Sequence, residues 1–126
     1  MSLTQAEEQV MKHLWKLDKA YLKDILEDYP APRPKATTIA TLLKRMIDKD
    51  YVAYTQHGSN REYYPKIKKE QYFSTQLSTM VKDFFNDSAS QFASFFTRES
   101  DMNMEELQAL KEEIETRIKN QKKRKE

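Results

Sequence analysis

Residues 35–65 read KATTIATLLKRMIDKDYVAYTQHGSNREYYP, and this stretch decides the fold. Its first half repeats apolar side chains at helical spacing, at Ile39, Leu42, Leu43, Met46 and Ile47. Such spacing is typical of a helix with one buried face. Its second half has two runs rich in tyrosine and β-branched residues, joined by His-Gly-Ser-Asn, which predict a β-hairpin. We therefore expect a helix over about 35–49 and a hairpin over about 51–65.

The residues nearest the N-terminus predict another helix. Thr4 and Glu7 have the spacing of a capping box, in which a hydroxyl and a carboxylate satisfy the first free amides of a helix. Apolar residues at helical spacing follow at Val10, Met11, Leu14 and Trp15. We expect this first helix to cover residues 4–17, and we give no weight to residues 1–3.

A shorter second helix is predicted over about 20–28. Its inward-facing residues are expected to be Leu22, Ile25 and Leu26. The helix must end before Pro30, because proline lacks an amide donor and clashes with the preceding turn. Pro34 is expected to open the third helix, where its fixed φ is tolerated. Three helices followed by a hairpin predict a winged helix-turn-helix domain over residues 1–66.

Gly58 is the only glycine in the chain, and it lies at the predicted hairpin tip. A glycine supplies the positive φ that such a tip demands. The turn should allow Tyr54 and Tyr63 to face each other across the hairpin near the core. Tyrosines of the hairpin could also stack on single-stranded bases, but we expect them to pack the hairpin onto the helices.

Residues 67–126 predict helices with thin apolar stripes, and all six phenylalanines lie between positions 73 and 96. Asn103 and Glu106 offer a second capping box, and the tail 119–126 is expected to fray. Because short isolated helices are marginal in water, we expect the stripes to meet their symmetry mates in a homodimer. The predicted dimerisation residues are Phe73, Leu77, Met80, Val81, Phe84, Phe92, Phe95, Phe96, Leu107, Leu110, Ile114 and Ile118. The fold class is mainly α with a small β-hairpin.

Positive charge is concentrated in the middle of the chain. The net charge is only +2, but residues 30–66 carry seven lysines and arginines against three acidic residues. A basic patch of this kind suits a polyanion.

Composition excludes several classes of protein. The chain has no cysteine, which excludes disulfides, thiol nucleophiles and thiolate metal sites. No apolar run is long enough to span a membrane, and the N-terminus lacks the pattern of a signal peptide. We expect no membrane insertion and a cytoplasmic location.

The face of the third helix opposite its apolar stripe is rich in threonine and basic residues. A threonine offers a hydroxyl to base edges or phosphates and a methyl to thymine, while costing helix stability because its χ1 is restricted. Ordinary solvated helix residues and a plain exposed hairpin are the alternatives to DNA contact. The predicted DNA-binding residues are Lys35, Thr37, Thr38, Thr41, Lys44 and Arg45 on the helix, and His57, Ser59, Asn60 and Arg61 on the hairpin.

Catalysis finds little support in the sequence. His13 and His57 are the only histidines and lie far apart, without a metal-binding motif. We expect His13 on a helix surface. One glycine cannot form a phosphate-cradling loop, and the glutamates of the last helix are explained by a solvated face. No catalytic residue, metal or cofactor is predicted.

The order of these features resembles the penicillinase-repressor family of bacterial transcriptional regulators. The likeness runs through LTQAEEQVMKHLWK at residues 3–16, KATTIATLLKRMIDKDYV at 35–52, HGSNREYYP at 57–65 and the helical tail. Many relatives end the recognition helix with Lys-Gly, whereas this chain has Lys49 and Asp50 there. The turn into the hairpin must therefore be made without glycine.

The resemblance implies a dimeric repressor that blocks transcription from a near-palindromic operator with TACA/TGTA-like half-sites. Base contacts fall on Thr37, Thr38 and Thr41, and Lys35, Arg45 and Arg61 take phosphates or groove edges.

The resemblance also bears on how the repressor is released. In the β-lactam-responsive branch, a membrane metallopeptidase sensor triggers cleavage at an Asn-Phe bond. The closest position here is Ser94-Phe95, which departs from that pattern. The copper-responsive branch uses a cysteine pair, which this chain lacks. The alternative to a repressor is a winged-helix module that binds protein rather than specific DNA.

Overall fold

The computed structural model describes residues 2–125, which form six helices and one three-stranded antiparallel sheet. The helices are α1 (Gln5–Leu17), α2 (Leu22–Asp28), α3 (Ala36–Asp48), α4 (Lys69–Phe84), α5 (Ala89–Glu99) and α6 (Met104–Lys125). The strands are β1 (Ala20–Tyr21), β2 (Val52–His57) and β3 (Asn60–Pro65), in the order β1-β3-β2. The mainly α fold with a small antiparallel sheet is confirmed.

The chain divides into two compact units, one ending at Thr75 and the other beginning at Gln76. The first unit contains the three helices and the sheet expected of a winged helix-turn-helix, and it extends into the first part of α4. There Tyr72 is buried in the core, with 1% of its surface exposed. Its hydroxyl donates to Glu8 at 2.7 Å and accepts from the amide of Leu3 at 3.2 Å. Burial, followed by the bond to Glu8, raises the pKa of Tyr72 to about 12.

The predicted capping box begins α1. The Thr4 hydroxyl accepts from the amide of Glu7 at 3.2 Å, and the Glu7 carboxylate accepts from the amide of Thr4 at 2.8 Å. Glu7 is fully buried and also pairs with the ammonium of Lys49 at 2.7 Å. This pair joins the start of α1 to the end of α3.

The predicted second helix is two residues too long at its start. Ala20 and Tyr21 form β1, which pairs with Tyr63 and Glu62 of β3. Ala20 is buried, and the amide of Tyr21 donates to the carboxylate of Asp24, so α2 begins only after the strand. The local pattern predicted a helix there, but the edge of β3 provides better partners for this backbone.

Helix α3 begins at Ala36, with Lys35 as its N-cap residue. The carbonyl of Lys35 accepts the first helical bonds, at 3.1 Å from Thr38 and 3.2 Å from Ile39. Pro34 therefore precedes the cap, and its predicted place at the first helical position is wrong. Ile39, Leu43 and Met46 are buried, while Leu42 and Ile47 are partly buried, as the apolar stripe predicted.

Asp50 makes the turn between α3 and the hairpin. Its φ is +69°, in the left-handed region that favours glycine. Its carboxylate also pairs with Lys66, which follows β3 at the base of the hairpin. The turn without glycine is thus made by a residue type that tolerates this conformation better than most.

The hairpin has the predicted form. Gly58 has a φ of +61°, whereas the φ of Ser59 is not positive. This combination is the pattern of a type II′ turn. Tyr54 and Tyr63 lie opposite each other in the register, and their ring centroids are 6.0 Å apart.

The core of the first unit draws on every helix and strand of the winged domain. Its buried apolar residues are Leu3, Val10, Met11, Leu14, Ala20, Ile25, Ile39, Leu43, Met46, Val52, Tyr63 and Tyr72. Trp15 packs against it and donates its indole N–H to the carbonyl of Ile67 at 2.9 Å. Leu3 belongs to this core, although residues 1–3 carried no weight in the prediction of the fold.

The second unit contains the rest of α4 together with α5 and α6. Phe85 contacts Phe92 and Phe95 at ring-centroid distances of 5.5 and 5.2 Å. The second capping box is present, with the amide of Glu106 donating to Asn103 at 2.8 Å. Helix α6 continues to Lys125, so residues 119–125 of the tail predicted to fray are helical here, and the last residue of that tail lies outside the described residues. None of the helices within residues 2–125 is both long and apolar enough to cross a membrane.

Candidate nucleic-acid interface

The outward face of α3 presents the three predicted threonines to solvent. Thr37, Thr38 and Thr41 are exposed and line a shallow depression with Leu42 and Arg45. The hydroxyl of Thr41 donates to the carbonyl of Thr37 at 2.9 Å, which leaves its lone pairs as acceptors. Among residues 2–125, the hydroxyl of Thr38 has no hydrogen-bond partner. This face therefore offers both a free hydroxyl and methyl groups to a ligand.

The hairpin tip presents the other predicted residues. His57, Ser59, Asn60 and Arg61 are all exposed at or beside the turn. The amide of Gln56 donates to the carbonyls of Gly58 at 2.9 Å and Asn60 at 3.3 Å. The tip is therefore braced by a side chain that spans it.

Arg61 and His57 have different surroundings. The guanidinium carbon of Arg61 lies 4.4 Å from the centroid of the Tyr54 ring, a cation–π contact. His57 lies 3.3 Å from the carboxylate of Glu62 and near the ring of Tyr21. Tyr54 was expected only to pack the hairpin, and its contact with Arg61 could not be inferred from sequence spacing.

The basic residues in the middle of the chain differ in whether a carboxylate pairs with them. Lys49 pairs with Glu7, and Lys66 pairs with Asp50. Arg33 donates to the carbonyls of Tyr29 and Glu27, each at 3.2 Å. The cations that form no ion pair with any carboxylate of residues 2–125 include the four predicted for DNA contact, Lys35, Lys44, Arg45 and Arg61.

A groove of about 790 Å³ separates the hairpin tip from the start of α2. Lys23 and Arg33 line it together with Arg61, and Asp24 and Glu27 contribute negative charge. Lys23 and Arg33 are not among the residues predicted for DNA contact. The local surplus of basic residues was the available signal for Arg33, whereas nothing local distinguishes Lys23 from other helix-surface lysines.

His13 is not on the helix surface where it was predicted. It is buried, 2.5 Å from the carboxylate of Asp28, and its ring packs against Tyr29 in a tilted arrangement with ring centroids 4.0 Å apart. The bonds from His13 and then Lys16 lower the pKa of Asp28. His13 thereby joins α1 to α2, since Asp28 is the last residue of α2. The structure groups no set of potential metal ligands within residues 2–125.

The predicted dimerisation residues are distributed between the two units. Phe73 belongs to the first unit, where it contacts Trp15 at 5.8 Å and Tyr72 at 5.1 Å between ring centroids. Val81, Phe92 and Leu110 are partly buried. The exposed members are Phe73, Leu77, Met80, Phe84, Phe95, Phe96, Leu107, Ile114 and Ile118.

The fold is a winged helix-turn-helix, and one face of α3 exposes threonines and basic side chains. The chain belongs to the penicillinase repressor family, whose model matches residues 3–116. Members of this family are DNA-binding transcriptional repressors rather than enzymes. The membership therefore assigns this chain the general function of a DNA-binding transcriptional repressor, with DNA as its partner.

Other comparisons add little. No curated protein matches the chain significantly. A solved structure, that of the Giardia lamblia Hop2-Mnd1 complex, is similar with a TM-score of 0.38 and 12% identity, covering 94% of this chain and 81% of that one. A likeness this low has no bearing on function.

Proposed function

We propose that the chain is a cytoplasmic homodimeric repressor that binds a near-palindromic operator through α3 and the hairpin wing. Helix α3 enters the major groove, where Thr37, Thr38 and Thr41 contact base edges. Lys35, Lys44 and Arg45 bind phosphates or groove edges beside them. The wing adds Arg61, with His57, Ser59 and Asn60 supplying further phosphate hydrogen bonds.

The observation that supports this proposal best is the separation of the basic residues. Lys49 and Lys66 are neutralised by carboxylates, whereas Lys35, Lys44, Arg45 and Arg61 remain unpaired within the described chain. Unpaired cations beside exposed threonines provide both the affinity for phosphates and the readout of bases.

Dimerisation is the second part of the proposal. Two recognition helices related by a two-fold axis read two half-sites of one palindrome. The exposed apolar side chains of α4, α5 and α6 supply the surface for a second copy, because burying apolar surface on association is favourable.

We also propose that a membrane metallopeptidase sensor system is a candidate partner for release. The position closest to the family's cleavage site, Ser94-Phe95, lies inside α5. Cleavage there would require local opening of that helix. Co-expressing the chain in cells with a membrane metallopeptidase sensor encoded beside its gene, and mapping any cut by mass spectrometry, tests this point.

A footprint on the gene's own upstream region tests the main proposal. At about 0.15 M salt, the purified chain should protect a near-palindromic site and prefer it to random duplex by about a thousandfold or more. Its affinity should fall steeply with salt, since each neutralised phosphate releases counterions. Equal affinity for both duplexes would favour the alternative, a winged-helix module that binds protein.

A further inference from the structure

One face of the hairpin carries three side chains in a row from the core to the tip. Tyr63 is buried, with 8% of its surface exposed. Its register partner Tyr54 meets it edge to face, with ring planes at 60°. The guanidinium carbon of Arg61 then lies 4.4 Å from the centre of the Tyr54 ring. A wing arginine is thereby connected to the core through two aromatic rings.

We propose that Tyr54 is a positioning residue for DNA binding, whose ring holds the Arg61 guanidinium ready for a phosphate or a groove edge. This inference rests on the proposed function. A guanidinium that lies against a ring face keeps its N–H groups, which point outward in its plane, available for hydrogen bonds.

The contact between Tyr54 and Arg61 should favour DNA binding because it holds the arginine in place before the DNA arrives. A free arginine side chain loses rotamer freedom when it binds, and an arginine already held in place loses less. No carboxylate of residues 2–125 pairs with Arg61, so the ring does not compete with an ion pair. The bonds from Gln56 to Gly58 and Asn60 brace the tip that carries it.

The test compares Tyr54→Leu with Tyr54→Phe, which keeps the ring face. Fluorescence anisotropy with a labelled random-sequence duplex at low salt measures the affinity of each full-length variant. Tyr54→Leu should weaken binding about two- to fivefold, the range of an exposed cation–π contact, and Tyr54→Phe should match the parent. In an Arg61→Ala background, Tyr54→Leu should have no further effect.

A measurement without DNA reads the same contact. Nuclear magnetic resonance should show the Arg61 side-chain protons shifted upfield by the Tyr54 ring in the parent and in Tyr54→Phe. The shift should disappear in Tyr54→Leu. Thermal unfolding of each variant shows whether the fold is retained.

The proposal is overturned by unshifted Arg61 resonances, by equal weakening in Tyr54→Phe and Tyr54→Leu, or by equal weakening with and without Arg61. These results are distinct from failure of the proposed function, which is a lack of preference for the upstream region. The affinity for the random duplex and the chemical shifts of the Arg61 protons do not depend on that preference. A parent chain that binds neither duplex overturns both.

Discussion

Asp50 occupies a backbone conformation that most residues avoid. Its φ of +69° places it in the left-handed region, directly after α3. Glycine has no Cβ to clash there, whereas most L-residues lose about 1–2 kcal/mol. Substitutions at Asp50 can therefore separate the cost of its left-handed backbone conformation from the contribution of its side-chain pair with Lys66.

We predict that Asp50→Gly is more stable than Asp50→Ala by about 1 kcal/mol, because both lose the pair with Lys66 but only glycine relieves the left-handed strain. Urea unfolding followed by circular dichroism measures the difference. The matched control is Lys44, which is exposed in the interior of α3. There alanine should be the more stable variant by about the same amount, and the same order at both positions would contradict the prediction.

Glu7 is a fully buried carboxylate held by Lys49 and Thr4. Burial by itself raises the pKa of Glu7, but the bonds from Lys49 and Thr4 outweigh it, and the pKa lies below its usual value. A carboxyl with a lowered pKa in the folded state stabilises the protein above its unfolded pKa. That contribution is lost as the pH falls through the folded pKa.

We predict that Lys49→Met destabilises the first unit by about 3 kcal/mol near pH 7, because it leaves a buried charge unpaired. Without Lys49, burial should raise the pKa of Glu7 above its unfolded value. The variant should then gain stability relative to the parent as the pH falls toward about 4.5. Urea midpoints across this range measure both effects.

A matched control comes from the exposed pair. Lys66→Met breaks the contact with Asp50 and should cost less than about 1 kcal/mol, with no such pH dependence. If Lys49→Met lost as little stability as Lys66→Met and showed no pH dependence either, the prediction for the Lys49–Glu7 pair would be wrong.

At the scale of the element, α3 combines a buried apolar stripe with an exposed polar face. Ile39, Leu43 and Met46 fix the rotation of the helix, since they are almost completely buried. That rotation places Thr38 and Thr41 outward. These threonines can therefore be substituted without disturbing the packing of the helix.

We predict that Thr38→Val and Thr41→Val each cost about 1–3 kcal/mol at particular base pairs of the operator and little on random duplex. Anisotropy titrations with single-base operator variants measure this. Thr116→Val is the matched control, because Thr116 is exposed on α6 and donates to the carbonyl of Glu112 at 2.9 Å, as Thr41 does to Thr37. Uniform losses on all duplexes would argue against base contact.

At the scale of the whole molecule, the two units differ in how they bury apolar surface. The winged unit has a continuous core that includes Tyr72 of α4. Within residues 76–125 no side chain is buried, and Leu77, Phe84 and Ile118 are among the exposed apolar residues. This contrast is the physical basis for expecting a second copy of the chain against that unit.

We predict that the parent chain has a mass of roughly 30 kDa in solution, twice its 15.0 kDa. Leu77→Asp combined with Ile118→Asp should shift it toward the monomer and weaken operator binding, because charges at an apolar interface are costly. Light scattering coupled to size exclusion measures the mass. Met104→Asp is the control, since Met104 is exposed but lies outside the predicted interface. A monomeric parent would refute the prediction.

Much of the fold could be predicted because its signals are local. The capping box at Thr4, the apolar stripe of α3 and the hairpin turn at Gly58 each depend on residues a few positions apart. The candidate site followed from the exposed face of α3, whose threonines are the complement of its stripe. Operator contact and dimerisation remain predictions.

The sequence by itself determined which segments are helices, where the hairpin turns and which face of α3 carries threonine, since periodicity and backbone preference act over short distances. Only the tertiary structure decided the pairing of β1 with β3, the burial of His13 against Asp28 and the contact of Arg61 with Tyr54. Each of these requires groups that the fold, rather than a local motif, brings together. Their geometry depends on how the elements pack, which no local pattern encodes.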